Sequence, residues 1–174
     1  MVAETCSNKS NHYLIFILDK EKYAVSVSAV ERICSVVNIT PLPEVPDILH
    51  GIIKMKGLIV PVINVRKRLG MPDKETELSD HLIIVRTKKL ILALLVDEVT
   101  GLMELDIKDI EKKDSIFPGL KYIEGVVKSS PGIIIVHNID EFLSPEEEEK
   151  LVPVTGEKNE YFRRSSQKVE QADT

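Results

Sequence analysis

The chain has 174 residues, of which 43% are hydrophobic, 29% charged and 5% aromatic, and its formal net charge is −5. Residues 144–174 contribute −3 of that charge through eight acids and five bases, so the rest of the chain is nearly neutral and lacks the basic stripe that nucleic-acid binding requires. Because aromatic residues are few and Trp is absent, the chain also lacks a platform for base stacking. No stretch reaches the roughly 18 apolar residues of a membrane helix and no N-terminal run looks like a signal sequence, so we expect a cytoplasmic protein without membrane insertion.

The first elements in chain order are two strands. Residues 13–18 are continuously apolar, which is typical of a strand covered on both faces. Residues 22–27 alternate apolar and polar side chains, as in a strand with one exposed face. The intervening residues 19–21 predict a hairpin turn, and the polar residues 1–11 predict a flexible leader.

A helical turn and a third strand are predicted next. Ser28 and Glu31 have the spacing of a capping box, which begins a short helix. Residues 33–39 predict a strand, and prolines at 41, 43 and 46 end it in an extended connector.

Residues 50–70 predict a second hairpin that is closed by a helical turn. Gly57 separates two apolar runs and supplies the backbone conformation of a tight turn. Asn64 is the expected N-cap of the helical turn, and Gly70 ends it. Gly51 lies in the first run, where we expect a branched side chain to lower stability.

This pattern occurs twice in the chain. An offset of 69 residues aligns residues 12–33 with 81–102, and an offset of 74 aligns residues 51–69 with 125–143. The change of offset corresponds to a five-residue insertion in the second copy. Because two copies are too few for a solenoid, the duplication predicts two similar small barrels packed side by side.

The predicted subdomains follow the two copies. Subdomain 1 covers residues 13–70, a polar linker covers 71–80, and subdomain 2 covers residues 82–143. Asp97 is the expected N-cap that corresponds to Ser28, and Asn138, three residues before Glu141, is the expected N-cap of the helical turn after the last hairpin. Ser144 and Pro145, followed by four glutamates, predict a C-terminal helix over residues 144–150, and the polar residues 151–174 predict a disordered tail.

The sequence contains no motif of an enzyme or of a metal or cofactor site. It has no glycine-rich phosphate loop, nucleophile elbow, CxxC pair or metal-binding helix. The histidines, which lack metal spacing, are predicted to be structural or solvent-facing, and the cysteines to be incidental. These residues are His12, His50, His81, His137, Cys6 and Cys34. We therefore expect no catalysis, no metal and no cofactor.

Matched positions of the two copies differ in charge. Lys56 is matched by Ser130. The run that begins at Arg66 is Arg-Lys-Arg in the first copy and Asp-Glu-Phe in the second, where it begins at Asp140. Two different binding partners would explain this divergence through complementary potentials; the alternative is surface drift.

Residues 51–69 are similar to the signature of CheW-like domains, which reads approximately G-V-[IV]-N-L-R-G-x-[IV]-x-P-V-[IV]-D-L-R-x-x-L. Residues 23–33 and 96–99 also fit the family pattern, so the resemblance covers residues 12–150. It implies a mainly β fold of two five-stranded SH3-like barrels, related by internal duplication, with short helices and a C-terminal helix.

The resemblance also implies a function. Proteins of this family are chemotaxis adaptors that couple the cytoplasmic tips of chemoreceptors to the regulatory domain of a histidine kinase. The implied protein is a monomer alone and part of an array in complex, located in the cytoplasm at the inner face of the membrane. Residues that the resemblance assigns to receptor binding, mostly in a groove between the barrels, are Val30, Ile33, Leu82, Leu102 and Lys56. Residues assigned to a kinase or receptor interface are Arg32, Gly57 and Lys54.

Four positions depart from the family pattern. Lys54 replaces Asn, Lys56 replaces Arg, Asn64 replaces Asp, and Arg32 stands where Glu is common. Lysine cannot make the planar bidentate contact of arginine, so the departures leave open which kinase or receptor is the partner. The alternative function is a small-ligand or nucleic-acid binding pair of barrels. A third hypothesis is a hydrolase, which would need a cluster of titratable groups in one cleft.

Overall fold

The computed structural model describes residues 11–112, 118–129 and 132–155, which form eleven strands and two α-helices. In chain order these are β1 (His12–Leu18), β2 (Glu21–Ser26), β3 (Val30–Ser35), β4 (Leu49–Met55), β5 (Leu58–Asn64), α1 (Val65–Arg68), β6 (His81–Arg86), β7 (Ile91–Val96), β8 (Glu98–Glu104), β9 (Ile110–Lys112), β10 (Ile123–Ser129), β11 (Gly132–His137) and α2 (Pro145–Thr155). The predicted leader and most of the predicted tail lie outside the described residues.

The strands form two sheets, and each sheet combines strands from both copies. One sheet has the order β3-β6-β7-β5-β4 and the other β8-β1-β2-β11-β10-β9. The opening hairpin of each copy therefore pairs with the remaining strands of the other copy. Asp97 is the one residue between β7 and β8. Because a hairpin turn needs at least two residues, β8 does not fold back on β7, and the chain continues into the other sheet. The predicted division at residues 13–70 and 82–143 thus describes the duplication but not the barrels.

The strand register repeats between the two sheets. Val30 of β3 lies opposite Val85 of β6. Its counterpart Val99 of β8 lies opposite Phe16 of β1, which is the counterpart of Val85. A register shift follows the same position in both pairs, and the parallel pairs β5–β7 and β11–β2 also correspond. The internal duplication is therefore present in the backbone pairing.

Both sheets close on themselves. In the larger sheet β8 and β9 are the two edges, yet only residues 105–109 join them, a segment that spans at most about 20 Å. In the smaller sheet Thr40, beyond the end of β3, bridges to Ile52 of β4. Each sheet is therefore a barrel with five strand positions, because β8 and β9 of the larger sheet together take the position that β3 and Thr40 take in the smaller sheet. This confirms the predicted fold. We call the barrel of β3–β7 barrel 1 and that of β1, β2 and β8–β11 barrel 2.

Three groups of buried side chains hold the molecule together. One fills barrel 1 and consists of Ile53, Val60, Val62, Leu82, Ile84, Ile91 and Ala93. One fills barrel 2 and consists of Tyr13, Ile15, Ala24, Leu105, Val127, Ile134 and Val136. The third, which we call the shared core, lies between the barrels and takes side chains from both, among them Leu14, Phe16, Ile63, Ile83, Val85, Leu92 and Phe142. In the part of the chain that the structure describes, these side chains fill the interior of each barrel.

Glycine at position 51 is required by barrel closure. A Cβ there would lie 2.5 Å from the carbonyl oxygen of Thr40 and 2.7 Å from Cγ2 of Ile39. The second copy repeats this contact, because a Cβ on Gly125 would lie 2.5 Å from the carbonyl oxygen of Glu111. The intolerance expected from the sequence thus has its cause in the neighbouring strand segment.

We expect Gly51→Ala to lower the free energy of unfolding by about 1–3 kcal/mol, the usual cost of overpacking. Urea denaturation measures this loss. Gly132→Ala is the matched control, since no atom lies within 4 Å of a Cβ built on that hairpin glycine. An equal loss in the two variants would contradict the explanation.

Two of the predicted N-caps are wrong. Ser28 lies inside a 3-10 turn, Val27–Ala29, and the residue before that turn makes no capping bond through its side chain. Asp97 precedes a strand and its carboxylate binds elsewhere. A capping pattern predicts that a polar side chain accepts a hydrogen bond from a nearby N–H group. The same side chain can instead accept from a group that is distant in sequence, as Asp97 does.

The other predicted caps are confirmed. Asn64 accepts from the N–H of Lys67 at the start of α1, and Asn138 accepts from the N–H of Asp140. At α2 the N–H of Glu147 donates to Ser144 Oγ (3.2 Å) and the N–H of Ser144 donates to the Glu147 carboxylate (2.8 Å). The helix continues to Thr155 and is longer than predicted.

Candidate partner-binding site

The tip of the β4–β5 hairpin presents lysines to solvent. Met55 pairs with Leu58, so Lys56 and Gly57 form a two-residue turn with φ of 49° and 79°. Positive φ at both positions is the geometry of a type I′ turn, which matches the twist of the strands. Lys54, Lys56 and Gly57 are all exposed. The turn predicted from Gly57 is present.

Arg32 and Lys56 lie beside the same cleft on barrel 1. They line one cleft of about 80 Å³ together with Met55 and Leu58. Glu31 also lines this cleft but pairs with Arg86 at 2.7 Å. The cleft therefore has an apolar floor and a cationic rim, which suits a partner that carries acidic side chains beside an apolar one.

Two exposed apolar residues occupy equivalent places on the two edge strands. Ile33 of β3 is 42% exposed and Leu102 of β8 is 65% exposed. Ile33 lies opposite Ile83, and Leu102 lies opposite Leu14. Since opposite residues of an antiparallel pair project on the same face, and Ile83 and Leu14 belong to the shared core, both exposed residues lie on the side where the barrels meet.

Val30 and Val99 complete this surface. Each is half-buried and packs against the shared core, one on β3 and one on β8. We call the surface formed by Val30, Ile33, Val99 and Leu102 the seam. Val99 is the residue that sequence reasoning missed, although its alignment with Val30 at the 69-residue offset was a signal that could have identified it.

Leu82 does not belong to the seam. It is 0% exposed and packs inside barrel 1. It lies opposite Cys34, one residue along β3 from Ile33, and therefore projects to the other face of the sheet. The expected receptor-binding role of Leu82 is wrong for this reason.

The basic helical turn serves the interior of the protein. Arg66 is 7% exposed and donates to both carboxylate oxygens of Asp19 at 2.8 and 2.7 Å. Arg68 pairs with Glu147 and its guanidinium lies 5.9 Å from the ring centroid of Tyr122. At these positions the prediction that the charge divergence serves binding partners is wrong, because the charges are used in internal contacts.

Arg66 is the centre of a cluster that we call the ionic cluster, formed by Asp19, Arg66, Lys74, Asp80 and Asp97. Arg66 also donates to Asp97 at 2.6 Å, and Lys74 lies 3.0 Å from Asp80 and 3.5 Å from Asp97. The hydrogen bond from Arg66 lowers the pKa of the Asp19 carboxyl. Burial alone would raise the pKa of Asp97, but hydrogen bonds from the Asp19 N–H and Arg66, with the nearby positive charges, lower it overall.

The histidines fall into different environments. His12 is exposed, and His50 lies 3.2 Å from Thr76 Oγ1. His137 is 2% exposed, stacks with Phe16, Tyr23 and Tyr122, and leaves Nε2 without a partner among the described residues. Burial lowers its pKa to about 4. His137 is therefore a structural histidine, which is one of the two roles predicted for the histidines.

Other sites within residues 11–112, 118–129 and 132–151 offer little chemistry. No three His, Cys, Asp or Glu side chains there are grouped as metal ligands. A groove of about 470 Å³ runs over barrel 1 beside residues 36–39, 50 and 76–78. No helix in this part of the chain is long and apolar enough to cross a membrane.

The chain is similar to several chemotaxis proteins of one family. Over 140 residues the chain is 30% identical to the chemotaxis protein CheW of Thermotoga maritima, covering 78% of this chain and 89% of that protein. Over 142 residues it is 26% identical to the CheW of Treponema pallidum, covering 78% and 84%. The crystal structure of the scaffolding protein TtCheW from Thermoanaerobacter tengcongensis is 27% identical, with a TM-score of 0.71 over 78% of this chain and 94% of that one. The family model of the CheW-like domain matches residues 12–147, and the chain therefore belongs to the CheW-like domain family.

Proposed function

We propose that the protein is a chemotaxis adaptor that couples the cytoplasmic tips of chemoreceptors to the regulatory domain of a histidine kinase. Membership of a family whose relatives are named as chemotaxis and scaffolding proteins supports this. The observation that carries it is the pair of equivalent apolar residues, Ile33 and Leu102, left exposed beside the shared core. Exposed apolar groups in a defined patch mark an interaction surface.

The seam is the proposed receptor-binding surface. A receptor tip is helical, and an amphipathic helix binds by placing apolar side chains in an apolar groove. Val30 and Val99 would form the floor of the contact and Ile33 and Leu102 its sides. Lys56 is retained as a candidate receptor contact from the cleft.

The cleft is the proposed second surface. Arg32, Lys54, Lys56 and Gly57 lie at or beside its rim, so the kinase regulatory domain would bring a complementary acidic and apolar edge. A lysine at position 56 gives a point charge without the bidentate geometry of arginine. We therefore expect a contact here that depends more on salt concentration than on orientation.

The protein is proposed to act by holding partners in place rather than by making bonds, as a coupling between two sites. It would be a monomer alone, join arrays in complex, and sit in the cytoplasm beneath the membrane through its receptors. Calorimetric titration with a receptor signalling-tip fragment and with a kinase regulatory domain tests the proposal. Binding of neither would refute it. The alternative, a small-ligand or nucleic-acid binding protein, is not favoured by the comparisons.

Substitution of the seam tests the receptor surface. Ile33→Asp and Leu102→Asp should each weaken receptor-tip binding at least about tenfold, because a carboxylate would be desolvated in an apolar contact. Titration calorimetry measures the change. Val37→Asp is the matched control, since Val37 is 50% exposed and lies outside the seam; equal weakening in all three variants would contradict the assignment.

Charge reversal tests the cleft. Lys56→Glu should weaken kinase-domain or receptor binding about tenfold while Tm stays nearly constant, because an exposed surface change alters stability by about 0.5 kcal/mol or less. Lys121→Glu, at another exposed lysine, is the control. If Lys56→Glu bound both partners as tightly as the unmodified protein, the cleft would not be a partner surface.

A further inference from the structure

The ionic cluster joins the two barrels at one of the two places where the chain passes between them. Asp97 is the residue between β7 of barrel 1 and β8 of barrel 2. Its carboxylate accepts the N–H of Asp19 at 2.9 Å, in the β1–β2 turn of barrel 2. It also accepts from Arg66 at 2.6 Å, in the helix that follows β5 of barrel 1. The start of β8 is therefore held to both barrels.

The duplication supplies a comparison for this arrangement. The helical turn that begins with Arg66 has Asp140 at the same place in the second copy, and Asp19 has Lys88. Asp140 accepts the N–H of Lys88 at 2.9 Å. The contact between helical turn and hairpin turn is thus present twice, with the charges of the two positions reversed.

The crossover residue is where the copies differ. The counterpart of Asp97 is Ser28, in the connection between β2 and β3. Ser28 Oγ shares a hydrogen bond with Ser26 Oγ at 2.8 Å, at the last residue of β2. Within the described residues, the ion pair found on β3 joins Glu31 to Arg86 of β6, in the same barrel. The start of β3 therefore has no ionic tie of this kind to barrel 2 in the part of the chain that is described.

β3 contributes to both proposed surfaces. Val30 and Ile33 belong to the seam, and Glu31 and Arg32 line the cleft. Because alternate side chains of a strand project to opposite faces, a displacement of β3 alters both surfaces together.

We propose that the ionic cluster fixes β8 as the stationary wall of the seam and leaves β3 as the movable wall, so that a partner entering the seam shifts β3 and thereby changes the cleft. The identity of the partners rests on the proposed function. The unequal anchoring of β3 and β8 is a property of the free protein. Coupling between two sites needs one element whose position both ligands bias, and β3 meets this requirement.

Amide hydrogen exchange of the full chain, followed by NMR without any partner, tests the unequal anchoring. In the unmodified protein the amides of β8 should exchange at least about tenfold more slowly than those at the matched positions of β3. Asp97→Asn keeps the shape of the side chain and removes its charge, so it should raise exchange in β8 about tenfold and leave β3 unchanged. Asp140→Asn, at the equivalent of Arg66, is the matched control and should leave both strands unchanged.

Three results would overturn the proposal. One is equal protection of β3 and β8 in the unmodified protein, and another is an unchanged β8 in Asp97→Asn. The third is a rise of equal size in β3 and β8 of Asp97→Asn, which would show that the charge of Asp97 has no specific effect on β8. Failure of a receptor-tip fragment to bind would remove the proposed function but would leave these exchange rates as they are, so the two failures are distinguishable.

Discussion

Arg66→Met is expected to lower the free energy of unfolding by about 3 kcal/mol, near the lower end of the range for removing one partner from a buried ion pair. The guanidinium makes three hydrogen bonds to Asp19 and Asp97, and its side chain is 8% exposed. Without it, two carboxylates face each other with Lys74 as their remaining cationic neighbour. Asp19 is half exposed and can reach water, which places the loss at the lower end of that range.

Urea denaturation of Arg66→Met and of Lys67→Met measures this effect. Lys67 is the adjacent residue in α1, with a side chain that is 39% exposed and a long contact of 3.9 Å to Asp73. We expect its substitution to change stability by about 0.5 kcal/mol or less. A loss below about 1 kcal/mol for Arg66→Met would mean that the cluster does not hold the fold.

Local sequence patterns predicted most of the strands correctly. The hairpin of β4 and β5 follows from Gly57 between two apolar runs, and the caps of the helical turns follow from Asn64 and Asn138. These features depend on side chains within a few residues of each other. The barrel architecture follows from the duplication, because two copies of one unit bury their apolar faces in the same way.

The exchange of hairpins could not be predicted in the same way. It depends on the single residue between β7 and β8, which local propensity does not distinguish from a helix cap. Asp97 was therefore predicted to begin a helix, whereas it binds Arg66 across 31 residues of sequence. Charges that look available for partners in the sequence are satisfied internally once the hairpins cross.

The resemblance predicted most but not all of the exposed residues of the candidate site. Family resemblance placed Ile33, Leu102, Arg32 and Lys56 on exposed surfaces, and the structure has them there. It also included Leu82, because an apolar run that is covered on both faces gives no alternation to tell one face from the other. The register with Cys34 supplies that information.

Acidification from pH 6.5 to pH 4 is expected to remove about 3 kcal/mol of stability through His137. Burial lowers its pKa from 6.5 in the exposed reference to about 4 in the folded protein. Between these values the unfolded chain binds more protons than the folded one, so stability falls as pH falls, by about 1.4 kcal/mol per unit of pKa difference. The carboxylates Asp19 and Asp97, whose pKa values are lowered, lose their contribution only below about pH 3.8.

One group acts in the opposite direction over the same range. Burial raises the pKa of Glu124 above 4.5, so the folded protein binds more protons there and gains stability as pH falls. A single pH profile therefore mixes two contributions. A variant that removes only His137 separates them.

His137→Ile should flatten the loss between pH 6.5 and pH 4 and leave stability at pH 7 equal or higher. The reason is that Ile63, the matched residue of the first copy, is an isoleucine that is 0% exposed in the same shared core. The substitution also removes Nε2, a buried nitrogen without a partner among the described residues, at the cost of a 3.4 Å contact between Nδ1 and the Tyr122 carbonyl. Denaturant unfolding at intervals of half a pH unit gives the profile, with His12→Gln as the exposed control. If the profile of His137→Ile matched that of the unmodified protein, the acid sensitivity would have to come from groups outside the shared core.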